Sequence, residues 1–313
     1  LALWVPSHGQ EAAQVGSARA ARPQDHIFPS YREHIVGMIR GLDPPVHILS
    51  LLRGVTLGGW DPAENGNFHL YTLVLASQTL HATGYAMGLN LDRATATGDP
   101  PETDAAVLVY FGDGSTSQGD ASEALVFASS YQTPQVFFVQ NNQWRSRCRS
   151  RASRAPPHLA PRPRLRHAGP PHRRQRRARE LRREPHRPRR ARAGLGPTFI
   201  EAVTYRMART RPPTTPTKYR TQDEVDLWTA RDPPITRYRA WLEGRGASAR
   251  FFAEVDEEAQ DVASDVRRRA LSLAAPTREK IFEHVYSEVH PPVMEAQYAW
   301  LDAFERSLDE EPA

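Results

Sequence analysis

The stretch from residue 145 to 190 limits most strongly what this chain can fold into. It holds 18 Arg and two Glu, with no Lys and no Asp. It has three Leu and no Val, Ile, Phe, Tyr, Trp or Met. Such a segment cannot bury enough apolar surface to offset the entropy of ordering, so it is expected to be disordered. Its charge of +16 sits inside a chain of net charge +5, which leaves −11 for the rest. An acidic globular protein is therefore interrupted by a very basic block, and any core must be assembled from the two flanks.

The flanks read as α/β. Residues 1–60 read as loops and short helices around PSYREH, and 71–92 as a buried helix rich in small residues. AAVLVYF (105–111) then leads through GDGS into a helix over about 120–131, and VFFV (136–139) ends at Asn141–Asn142. Short apolar runs bounded by turn residues and separated by a helix are the mark of βαβ units. TFIEAVTYR (198–206) reads as a further strand. The expected fold is a mostly parallel sheet flanked by helices. The C-terminal region reads as helical: Phe252, Val255, Ala259, Val262 and Val266 form one apolar face, and TREKIFEHVYSEVH (277–290) continues in that style. The division this implies is 1–144 as the first part of the α/β domain, 145–190 as the basic block, 191–235 as the remainder of that domain and 236–313 as the helical region.

Other features restrict the class. No apolar run reaches the roughly 18 residues of a membrane span, and no signal peptide is visible. The lone Cys148 excludes an internal disulfide and points to a reducing cytoplasm. The chain opens on Leu1 in what reads as mid-domain sequence, so a truncated N-terminus is expected.

The chemistry concentrates in YFGDGSTSQGDASEA and VQNNQW. In open α/β sheets, ligands bind outside the C-terminal ends of strands. Gly112 and Gly114 would let the backbone approach a ligand closely, Asp113 would offer a hard oxygen, and the next helix start would seat a phosphate. Twenty-six residues separate Gly114 from Asn141, and the second strand then delivers Asn141 and Asn142. If the two strands are neighbours, a carboxylate and an amide oxygen meet at one edge. Mg²⁺ prefers few protein oxygens completed by a phosphate. A bare GDG is often only a turn; joined to paired asparagines at that spacing it becomes informative.

These motifs resemble the alpha subunits of thiamine-diphosphate-dependent 2-oxo acid dehydrogenases. YFGDGSTSQGDASEALVFASSYQTPQVFFVQNNQW carries the likeness, which extends over most of the chain outside the basic block. The resemblance implies thiamine diphosphate and Mg²⁺ as cofactors. It makes Asp113 and Asn142 metal ligands, with Trp144 ligating through its backbone carbonyl. Gly112, Gly114 and Ser115 would line the diphosphate, joined by Tyr31 and Arg32 of FPSYREH. Leu75 would lie beside the aminopyrimidine. The bland alternatives are a surface ion pair for Arg32 and simple helix packing for Leu75. His81 reads as a core or subunit-contact histidine rather than an acid–base group, and Asp120 and Glu123 as helix-start residues. Ile35, where the family has a small residue, is expected to crowd the diphosphate loop.

The resemblance further implies an α₂β₂ assembly with a beta subunit, and acyl transfer to a lipoyl-bearing acyltransferase. LRGVTLGGWDP and ASQTLHATGYAMG look more like the branched-chain enzymes; pyruvate and acetoin dehydrogenases, or an inactive remnant, are the alternatives. Neither a membrane nor nucleic acid is expected as a partner.

The basic block reads as frameshifted coding sequence. Arg without Lys, mixed with Pro and Ala, is what GC-rich DNA gives in a wrong frame. Codons for Arg145–Ala152 can be read from their third base as ISVPVSR, and those for Ala168–Arg177 from their second base as PGLRIDGND, both family patterns in the right order. Ala208–Thr215 can likewise hide PHTTADD. The family carries a catalytic loop histidine there; as written, the chain has Arg209, Thr210 and Arg211, so its catalytic residue is unknown.

Overall fold

The computed structural model describes residues 5–44, 47–48, 59–95, 104–145, 148–149, 190–207, 221–230, 233–274, 277, 282, 285–288 and 290–310. The disorder expected within the basic block falls outside these residues apart from 145, 148–149 and 190. The 208–215 window and residues 51–58 of the LRGVTLGGWDP stretch also lie outside them.

Strands β1 (His26–Phe28), β2 (Val107–Gly112), β3 (Gln135–Asn141) and β6 (Thr198–Val203) form one sheet in the order β1-β2-β3-β6. Every pairing in it is parallel. Val107 pairs with Gln135 and Gly112 with Gln140; Val136 pairs with Thr198 and Asn141 with Val203. A separate two-stranded ladder joins β4 (Trp144–Arg145) to β5 (Cys148–Arg149).

The central strands are apolar over Val107–Phe111 and Val136–Val139 because helices cover both faces. Side chains alternate along a strand. On one face Leu108, Tyr110, Val136 and Phe138 pack with Val36 of α2 (His34–Ile39) and Ala18 of α1 (Glu11–Ala20). On the other, Val107, Val109, Phe111, Phe137 and Val139 meet α3 (Ser77–Leu91) and α4 (Gly119–Tyr131). The contact residues of those two helices include Ala82, Ala86, Ala124 and Ala128, small enough to seat the helices close to the sheet.

The segment beyond the basic block is tied to this sheet. Arg192 makes a buried two-point ion pair with Asp25, just before β1, and Asp25 also accepts the Ala106 N–H at 2.9 Å. Among the C-terminal helices are α5 (Gln222–Thr229), α6 (Pro234–Glu243), α7 (Ala249–Leu271) and α8 (Pro291–Glu310). No helix among the described residues is long and apolar enough to cross a membrane.

Three expectations need correction. The 71–92 segment becomes helical only at Ser77, after Ala76 in a left-handed conformation (φ 74°), and its Leu80, Tyr85 and Leu91 are exposed. Residues 1–60 contain β1, too short to show the period of a strand. None of the described residues within 277–289 is helical; bends there separate α7 from α8.

Candidate active site

Parallel strands put all their C-terminal ends on one edge, and here all four contribute to one cleft. β1 runs into Ser30, Tyr31, Arg32 and Glu33; β2 ends at Gly112 and leads into Asp113, Gly114 and Ser115; β3 supplies Gln140 and leads to Asn142; β6 leads to Arg206. Leu75, just before α3, and Gln10, at the start of α1, complete the lining. Tyr31, Arg32, Leu75, Gly112, Asp113, Gly114, Ser115 and Asn142, the cofactor-binding residues expected from sequence, all lie in it.

Asp113 and Asn142 are buried on neighbouring strand ends and face a common space. The asparagine pair divides its duties. Asn141 donates to Glu201 on β6 at 2.7 Å and accepts the Gln143 N–H, which holds the turn after β3, while Asn142 lines the cleft. Trp144 lies in β4, which packs beside the Asp113–Ser117 turn.

The turn after β2 does not lead straight into the α-helix start expected from sequence. Asp113–Ser117 forms a short 3₁₀ turn, closed by the Thr116 hydroxyl donating to the Asp113 carbonyl at 2.7 Å, and α4 begins only at Gly119. Asp120 lies in the first turn of α4, as expected of a helix-start residue. Ile35 is half-buried in α2 and is not among the cleft-lining residues. His81 is exposed on α3, which argues against the core reading and leaves the subunit-contact one.

Sequence reasoning missed Gln10, Ser30, Glu33, Gln140 and Arg206. The last four sit inside or directly beside the quoted motifs, but only the fold shows which way they point. Glu33 is buried and accepts from the Ser30 N–H at 2.7 Å, the Ser30 hydroxyl at 2.8 Å and the Gln140 amide. Gln14 links the same network by donating to Gln140 and to the Arg32 carbonyl. Burial raises the Glu33 pKa, against the lowering effect of the Ser30 hydrogen bonds and of Arg32. The Arg32 guanidinium donates to the Pro6 carbonyl at 2.6 Å, and burial lowers its pKa. His34 is held by burial at a pKa of about 4, between the Tyr71 hydroxyl and the Val5 carbonyl.

Two buried guanidinium groups, two buried carboxylates and the Asn142 amide at a strand end suit a phosphorylated ligand bound with a hard cation. Among the described residues no three His, Cys, Asp or Glu gather as a metal site, so such a cation would draw on amide, carbonyl and phosphate oxygens beside Asp113.

A parallel sheet with a glycine-lined, two-arginine cleft at its C-terminal edge is the architecture of α/β enzymes that bind at their strand ends. The chain belongs to the dehydrogenase E1 component family, whose model matches residues 1–164 and 187–274. The break in that match, 165–186, falls within the basic block. The chain is 38% identical over 303 residues to the 3-methyl-2-oxobutanoate dehydrogenase alpha subunit of Mycobacterium tuberculosis, covering 93% of this chain and 77% of that protein. It is 30% identical to the pyruvate dehydrogenase E1 alpha subunit of Bacillus cereus, over 88% of this chain and 70% of that protein. The corresponding subunit of Acholeplasma laidlawii is 31% identical, over 93% and 82%. Members of this family are thiamine-diphosphate-dependent oxidoreductases.

Proposed function

We propose that this chain is the alpha subunit of a branched-chain 2-oxo acid dehydrogenase, holding thiamine diphosphate and Mg²⁺ in the strand-end cleft. One observation carries the reading: the ends of parallel strands, with Leu75 from the run before α3, bring every expected cofactor-binding residue to the same cavity. The branched-chain substrate is favoured by the higher identity to the 3-methyl-2-oxobutanoate enzyme, 38% against 30% and 31% for the pyruvate enzymes.

Asp113 and the Asn142 amide are the magnesium ligands, with Trp144 adding its backbone carbonyl. Gly112, Gly114 and Ser115 present a backbone surface with little side-chain bulk to the diphosphate. Arg32 supplies charge and a planar fork of donors, and Tyr31 flanks it with its ring centre 5.8 Å from the guanidinium carbon. The Glu33–Gln140–Ser30 network fixes the turn that carries both. Leu75 offers an apolar wall to the organic part of the coenzyme. When bound, the coenzyme supplies the electron sink for decarboxylation.

Kinship with alpha subunits implies a beta subunit as partner. We assign an α₂β₂ assembly, acyl transfer to a lipoyl-bearing acyltransferase, and a cytoplasmic location in keeping with the single cysteine. Thermal stabilisation by thiamine diphosphate plus Mg²⁺ tests the binding claim. It is expected in the wild-type chain with its beta subunit and lost in Asp113→Ala. Equal stabilisation of both proteins refutes the site. Turnover by the chain as written is expected to be low, because the 208–215 window lacks the histidine of the family loop.

A further inference from the structure

Gln10 is fully buried, yet among the described residues no group hydrogen-bonds to either atom of its carboxamide. It lines the cleft together with Asp113, Asn142 and Arg206. A buried amide without partners destabilises a fold, so its retention at this place asks for a partner that arrives later.

Its position is set by the backbone. Gly9 has φ +91°, and a Cβ there would stand 2.2 Å from the Tyr205 carbonyl oxygen. The Met207 N–H donates to the His8 carbonyl at 3.2 Å. These contacts press the start of α1 against the end of β6, which brings Gln10 to the same wall of the cleft as Arg206. Glu11 does not compete for the role: both its carboxylate oxygens accept from the Gly9 N–H and close the turn. The first turn of a helix favours an anion, and a carboxamide offers two N–H donors.

We propose that Gln10 is a direct contact for the diphosphate of the bound coenzyme, donating from Nε2 to a phosphate oxygen. This rests on the cofactor assignment made above and adds to it a contact from α1, an element the strand-end motifs do not include.

The test is calorimetric titration of the chain, assembled with its beta subunit, with Mg²⁺ and either inorganic diphosphate or thiamine diphosphate. Gln10→Leu is expected to weaken both ligands about tenfold, the size of one hydrogen bond to a charged group. Gln10→Glu is expected to weaken both further, through repulsion. The melting temperature of ligand-free Gln10→Leu should be unchanged or higher, because an unpaired buried amide has been removed. A lower melting temperature shows a structural partner and overturns the proposal. Loss of thiamine diphosphate affinity without loss of inorganic diphosphate affinity also overturns it. If Gln10→Leu binds both ligands normally while Asp113→Ala does not, the cofactor site stands and the role of Gln10 falls. If Asp113→Ala binds normally too, both fall together.

Discussion

The sheet and helix α7 use apolar residues in opposite ways. In β2 and β3, Val107, Val109, Tyr110, Phe137 and Phe138 are all 0% exposed, sealed by helices of the same chain. In α7 the periodic face is as regular in sequence, but only Phe252 is buried, while Val255 and Val262 are 43% and 44% exposed. The helix is held by polar contacts at its ends: Arg239 of α6 lies over Phe252 and pairs with Asp256, and Arg269 pairs with Asp43. An apolar stripe thus announces that a face will be covered, and leaves open whether its own chain supplies the cover.

That contrast predicts a gradient of mutational effects. Asp25→Ala should act most strongly, by about 3–5 kcal/mol, because it leaves the buried Arg192 charge uncompensated. Urea unfolding that shifts by less than about 1 kcal/mol would show that the segment beyond the basic block is not part of the sheet's cooperative unit. Leu108→Ala removes a side chain packed on the inner face and should destabilise by about 2–5 kcal/mol.

Acid should come next. Burial holds His26, His34 and His69 each at a pKa of about 4, below the ordinary 6.5. They are neutral in the fold, so below pH 6.5 the unfolded chain takes up protons that the folded chain refuses. The stability they contribute is present above pH 6.5 and is lost as pH falls toward 4. Glu33, with its raised pKa, works in the opposite sense. Urea midpoints should fall between pH 6.5 and 4, and His69→Leu should flatten that slope. At the weak end, Val262→Ser should change the stability of the isolated chain by no more than about 0.5 kcal/mol. A larger loss would mean that α7 is packed more tightly than its exposure indicates.

The sequence made the inner strands and α4 legible because their periods are long enough to read. It could not show β1, whose three residues carry no period, nor the irregular run before Ser77, where an apolar composition hides a left-handed residue. The site was legible where chemistry and turn coincide, at Asp113 and Asn142. It was illegible where direction decides: Gln140 and Asn141 are adjacent amides, yet one supports Glu33 and the other Glu201. Gln10 lay far from every motif along the chain, and only the close passage of Gly9 by Tyr205 brings it in.

The register between β3 and β6 carries a consequence for how the polypeptide could be assembled. Six paired positions, the Asn141–Glu201 bond and the Thr204 N–H to the Asn141 carbonyl fasten the two strands without drawing on the intervening residues. Two separately made fragments, divided between these strands, would carry enough mutual addressing to find each other and complement.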